Sequence, residues 1–186
     1  MSYYEVLLFL HILATIVWIG AAVCLQFLTY RGRETEDGQF LQSIGAMSNW
    51  LAQRLFIPAS LSTFVLGVLL TIEGPWSFDT LWVDLGLAGF AFSFLTGFFF
   101  LRVEGERIGK AIAAHGPRSP EAAFHMKRIE AVERLELVIL TLVVAAMSIK
   151  PTGEDEATIV IGALILAAAV AVAARAISRL PAPSTP

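Results

Sequence analysis

Of the side chains here that could do chemistry, His11 comes first. It lies two turns into an apolar run that opens at Tyr4. A neutral imidazole at that depth can ligate haem iron or a metal, or relay a proton, and polar groups in such runs face other helices or serve function. The plainer alternative is a packing residue, hydrogen-bonded to a neighbouring helix. At 100° per residue, His11, Thr15, Trp18, Gln26 and Thr29 fall within about 80° of one another. The first helix therefore carries one polar stripe that should face its partners.

Two further residues sit where they could join His11. Met147 and Lys150 close the fourth apolar run of the chain. Methionine is a known axial partner of histidine on haem iron. His115 and His125 fall in a charged segment at the other end, so a bis-histidine haem is not expected. The candidate cofactor-binding set is His11, Met147 and Lys150, with haem b as the cofactor considered. A zinc or copper centre needs three or four converging ligands, and His11 alone does not supply them. Cys24, the single cysteine, excludes a disulfide framework. No phosphate-cradling glycine loop, CxxC, HExxH or nucleophile elbow occurs, so an enzyme is not expected.

The elements that hold these residues are membrane helices. The chain of 186 residues is 56% hydrophobic and only 16% charged, against about 25% charged in a soluble domain. Its net charge of −3 offers nucleic acid no basic stripe. Runs over 4–28, 55–72, 81–101, 137–149 and 158–177 read as five spans, at about 20 apolar residues per crossing. The fourth is short and extends through Glu136 and a snorkelling Lys150. Twelve of the thirteen basic residues fall on one side of this arrangement, Lys150 being the exception. The positive-inside rule then puts the N-terminus outside and the C-terminus in the cytoplasm. The expectation is an all-α, polytopic membrane helical bundle in the bacterial inner membrane.

Between the third and fourth spans the helical pattern continues beyond the membrane. Arg102/Glu106 and Glu106/Lys110 are i,i+4 pairs. His115-Gly116-Pro117 ends one helix, and Ser119-Pro120-Glu121 begins the next with a cap, a proline at the first position and an acid in the first turn. This predicts an extended cytoplasmic hairpin over about 102–134. Phe40, Ile44, Met47 and Leu51 recur on one face of an amphipathic helix at about 38–52, suited to the interface. Residues 1–152 thus make a four-span core, 153–178 an additional span, and 179–186 a disordered tail. Gly89/Ser93/Gly97 and Ala163/Ala167/Ala171 repeat as small-xxx-small faces, fit for packing or for a partner membrane protein or second copy.

Several stretches carry a family likeness. Leu10-His11-Ile12 through Trp18-Ile19-Gly20 resembles the first helix of a bacterial integral membrane family, domain of unknown function 2269. Arg54 to Ser60, Glu73 to Phe78 with Leu81-Trp82-Val83, His115-Gly116-Pro117 and Lys150-Pro151-Thr152 resemble it too. The likeness covers about residues 4–152. More distantly, the first helix is similar to the copper-resistance protein D group and to HemJ-type protoporphyrinogen oxidases. In the latter a first-helix histidine is associated with haem, and His11 occupies the comparable place. The leading expectation is an integral membrane protein, haem- or metal-associated through His11. The alternative is a non-enzymatic accessory subunit or scaffold of a membrane complex, and the third a small-solute or ion transporter.

Overall fold

The computed structural model describes residues 2–34 and 38–180, and every element among them is helical. The first, α1 (Tyr3–Glu34), is opened by a reciprocal cap. The Glu5 N–H donates to Ser2 Oγ at 3.2 Å while the Ser2 N–H donates to the Glu5 carboxylate at 2.7 Å. Two orphan donors of the first turn are thereby satisfied.

α2 (Gly38–Leu51) passes into α3 (Ile57–Glu73) without a break, through a wide turn at Ala52–Phe56 where Ile57 N–H bonds back to the Ala52 carbonyl. Pro58 accounts for the turn. It brings no N–H, and its ring would clash with the carbonyl four residues earlier, so the helix widens locally. On α2 only Ile44 of the expected apolar stripe is buried, while Phe40 and Met47 are more than a third exposed.

α4 (Leu81–Leu95) likewise continues through a wide turn, Thr96–Leu101, into α5 (Arg102–His115). The chain reverses at Gly116, whose φ of 85° suits glycine. It then enters α6 (Pro120–Ile149), capped by Ser119 Oγ accepting from the Ala122 N–H. α5 and the first half of α6 form the antiparallel hairpin, held close where Ala111 and Ala122 are both fully covered. α7 (Glu156–Ser178) closes the bundle.

α1 packs chiefly on α3, and α6 runs between α1, α4, α5 and α7. Trp18 is buried at the centre with Phe90, 6.3 Å away edge-on, and Phe64 stacks on Phe90 at 4.6 Å. Among the described residues, four helical stretches are long and apolar enough to cross a membrane: Tyr3–Gly32, Ser43–Glu73, Leu81–His115 and Glu156–Ser178. The apolar part of α6, residues 137–149, rises only about 20 Å, short of the roughly 30 Å hydrocarbon core.

The small-residue faces are packed within the chain only in part. Gly89 and Ser93 are buried against α6, joined by Gly86, whereas Gly97 faces open space. On α7, Ala163, Ala167 and Ala171 are exposed, and Ala173 is its buried residue. Of the tail expected from 179 onward, the Arg179 and Leu180 N–H groups close α7 on the Arg175 and Ile177 carbonyls. Residues 181–186 lie outside the described residues.

Candidate functional site

His11 is half-buried on the face of α1 that meets α3. Its Nδ1 lies 2.9 Å from the Thr63 carbonyl oxygen. A carbonyl only accepts, so Nδ1 carries the hydrogen and donates, and a neutral ring then keeps its lone pair on Nε2. Gly67 seats the ring, because a Cβ there would come 3.2 Å from His11 Cε1. No hydrogen-bond partner takes Nε2 among the described residues. The rest of the stripe behaves as an inter-helix face. Gln26 donates to the Glu133 carbonyl of α6 at 2.9 Å, while Thr15 and Thr29 donate to carbonyls of α1 itself.

Met147 and Lys150 have partners of their own. Met147 inserts its methyl group where Gly86 of α4 leaves room; a Cβ on Gly86 would stand 2.2 Å from Met147 Cε. Lys150 ends α6 in the left-handed region, φ 54°, with its ammonium 4.2 Å from the Trp76 ring centre and 5.3 Å from that of Trp82. The three candidates are thus distributed over the α1–α3 interface, the α4–α6 interface and the helix ends beyond it. No three His, Cys, Asp or Glu side chains gather as metal ligands among the described residues.

A different cluster stands out, in the hairpin. Glu104 of α5 is 1% exposed, the only large side chain covered so completely among the described residues. Its carboxylate meets His125 Nδ1 at 2.7 Å, Arg107 at 2.7 Å and Arg128 at 3.1 Å. Arg128 also lies over Phe100 and Phe124, at 5.5 and 5.7 Å from their ring centres. A buried carboxylate is tolerable only when paired and fully bonded, and three donors from two helices meet that condition here. In the sequence Glu104 has nothing to mark it as buried, since an acid three residues before an arginine has the spacing of an exposed helical pair. The signal available was the tip at 115–119, which folds residue 104 back against roughly 125–130.

Nearer the apolar spans, Glu136 of α6 accepts from Ser93 Oγ of α4, and Arg134 pairs with Glu130.

The sequence model of a family described as a predicted integral membrane protein, DUF2269, matches residues 5–151. The chain belongs to this family. The matched region of the DUF2269 protein holds His11, Glu104, His125, Met147 and Lys150 together and stops before α7. No curated protein and no solved structure matches the chain. These comparisons show no similarity to copper-resistance protein D or HemJ-type proteins.

Proposed function

We propose that this DUF2269 protein is a non-enzymatic accessory subunit or scaffold of a membrane complex, with the α5–α6 hairpin as its working part. The observation that carries the reading is the Glu104 cluster. Burying Glu104 and His125, with Arg128 largely covered beside them, carries a desolvation penalty that an apolar seam would avoid, and what the cluster supplies is a single fixed geometry for an arm beyond the apolar spans. The engagement of Met147, Lys150 and His11 Nδ1 in packing contacts supports the same reading. The hairpin would stand in the cytoplasm of a five-span bacterial inner-membrane protein with its N-terminus outside, supported by twelve of thirteen basic residues on that side. Purified in a mild detergent, the protein should carry a stoichiometric partner that is lost when residues 107–128 are replaced by a short turn. A monodisperse monomer of this chain alone overturns the reading.

A second reading rests on His11 Nε2. The bond from Nδ1–H to a backbone carbonyl is the support that ligating histidines ordinarily have, and it leaves Nε2 ready to ligate. One ligand atom fits a haem; Met147 and Lys150, committed elsewhere, do not complete the set. A haem held there would be held by His11 through Nε2 and would supply one-electron chemistry. The purified protein should then show a Soret band that His11→Ala removes, and a colourless preparation overturns it.

A further inference from the structure

At the end of the bundle opposite the hairpin, the α3–α4 and α6–α7 connections enclose a recess of about 600 Å³, lined by Trp76, Asp79, Trp82, Lys150 and Thr152 among others. The recess sits where the apolar runs end, which is the depth of lipid headgroups whichever way the protein faces. Its aromatic wall is built firmly. The Trp76 and Trp82 rings meet edge-on at 5.1 Å and 84°. Gly74 allows that approach, since a Cβ on it would stand 2.9 Å from Trp76 Cδ1 and 3.0 Å from Tyr4.

Two opposite charges line this one recess, and no ion pair joins them. Lys150 is drawn over the tryptophan faces. Asp79 accepts the Ser77 hydroxyl, which holds its carboxyl below the usual carboxylate range, so it is charged at neutral pH. A cation and an anion kept apart on the walls of one recess are complementary to a ligand carrying the same two charges in reverse. The aromatic faces that would attract a quaternary ammonium are already covered by Lys150. The anionic wall is left to a cation with N–H groups to donate.

We propose that this recess binds the headgroup of an aminophospholipid, a phosphodiester linked to a primary ammonium, with the phosphate on Lys150 and the ammonium on Asp79. Lys150 keeps N–H donors free while its stem lies along apolar surface. Asp79 turns the site against lipids whose headgroup is anionic and lacks the ammonium. The interfacial position favours a lipid over a soluble phosphodiester, because the membrane holds the lipid at the recess.

The test is native mass spectrometry of the full chain in micelles holding equal amounts of phosphatidylethanolamine, phosphatidylglycerol and phosphatidylcholine with matched acyl chains. Wild type should retain phosphatidylethanolamine over either competitor by about fivefold, the scale of one exposed ion pair. Asp79→Asn should bring the ratio to phosphatidylglycerol close to one. Lys150→Asn, chosen because asparagine tolerates positive φ, should lower retention of all three. Because the wild-type and Asp79→Asn results are ratios between lipids on a folded protein, a general loss of stability does not imitate them. Equal retention of the three lipids by wild type overturns the proposal, as does a ratio that Asp79→Asn leaves unchanged. Displacement of the bound lipid by millimolar glycerophosphoethanolamine overturns the assignment to a lipid and gives the site to the soluble compound.

Discussion

Glu104→Ala should open the hairpin, raising the rate of tryptic cleavage at Lys110 and Lys127 by about a hundredfold or more. Removing one partner of a buried ion pair costs about 3–5 kcal/mol, because the charges left behind have no counter-ion, and each 1.4 kcal/mol is a factor of ten. Here the charge left behind is that of Arg128, while His125, which is 8% exposed, loses its hydrogen-bond partner. Cleavage follows the equilibrium population of the opened hairpin when reclosing is fast, so the rate reads the free energy directly. The partners are unequal, which sharpens the test. Arg107 is half exposed, and such a pair is worth at most about 1 kcal/mol. Arg107→Ala should therefore change the rate less than about fivefold. Glu104→Gln should fall between, keeping an acceptor for one donor and losing the charge. Equal effects from Glu104→Ala and Arg107→Ala would show that the cluster is not acting as a buried pair.

The contrast between Glu104 and the rest of the chain shows what a sequence carries. Spans, the hairpin tip and the caps are written locally. Twenty apolar residues, a glycine after a last turn and Ser119-Pro120 each fix a backbone state without reference to distant residues: four of the five expected spans are long and apolar enough to cross among the described residues, and the Gly116 turn and Ser119 cap stand where the pattern put them. The rotation of one helix against another is not local. It decided that Gly89 and Ser93 face α6 while Gly97 does not, and that Ala173 of α7 is buried while Ala163, Ala167 and Ala171 are exposed. It also decided the partners of the candidate residues. His11 was legible as a polar residue facing a neighbour, but that the neighbour is Thr63, seated by Gly67, depends on the register of α1 against α3. Met147 was legible as a methionine at the right depth, and Gly86 takes it on a different interface.

The α4–α6 interface yields the second large effect. Gly89→Ala should destabilise the bundle by about 1–3 kcal/mol, while Gly86→Ala, one turn away on the same face, should cost little or nothing. Both substitutions place a Cβ at 2.2 Å from an α6 side chain. The difference lies in what is met. At Gly86 it is the terminal methyl of Met147, on an unbranched chain that can swing aside. At Gly89 it is Cγ2 of Val143, whose branched side chain has one strongly preferred rotamer in a helix, with Cβ at 3.6 Å and Ile139 at 3.9 Å behind it. The two helices must then part. They cannot part freely, because the same seam holds Glu136 against Ser93 four residues on, and separation would leave that carboxylate without its donor. Helix propensity favours alanine over glycine by up to about 1 kcal/mol at either position, so Gly86→Ala can even stabilise slightly. Val143→Ala should restore the Gly89→Ala protein, since one of the two methyls removed is the one struck. The two changes should therefore be coupled by about 1–3 kcal/mol in a double-mutant cycle, read by thermal unfolding in micelles. Strict additivity of the pair, or equal losses at Gly86 and Gly89, would mean that the packing of α4 on α6 is not set by this glycine.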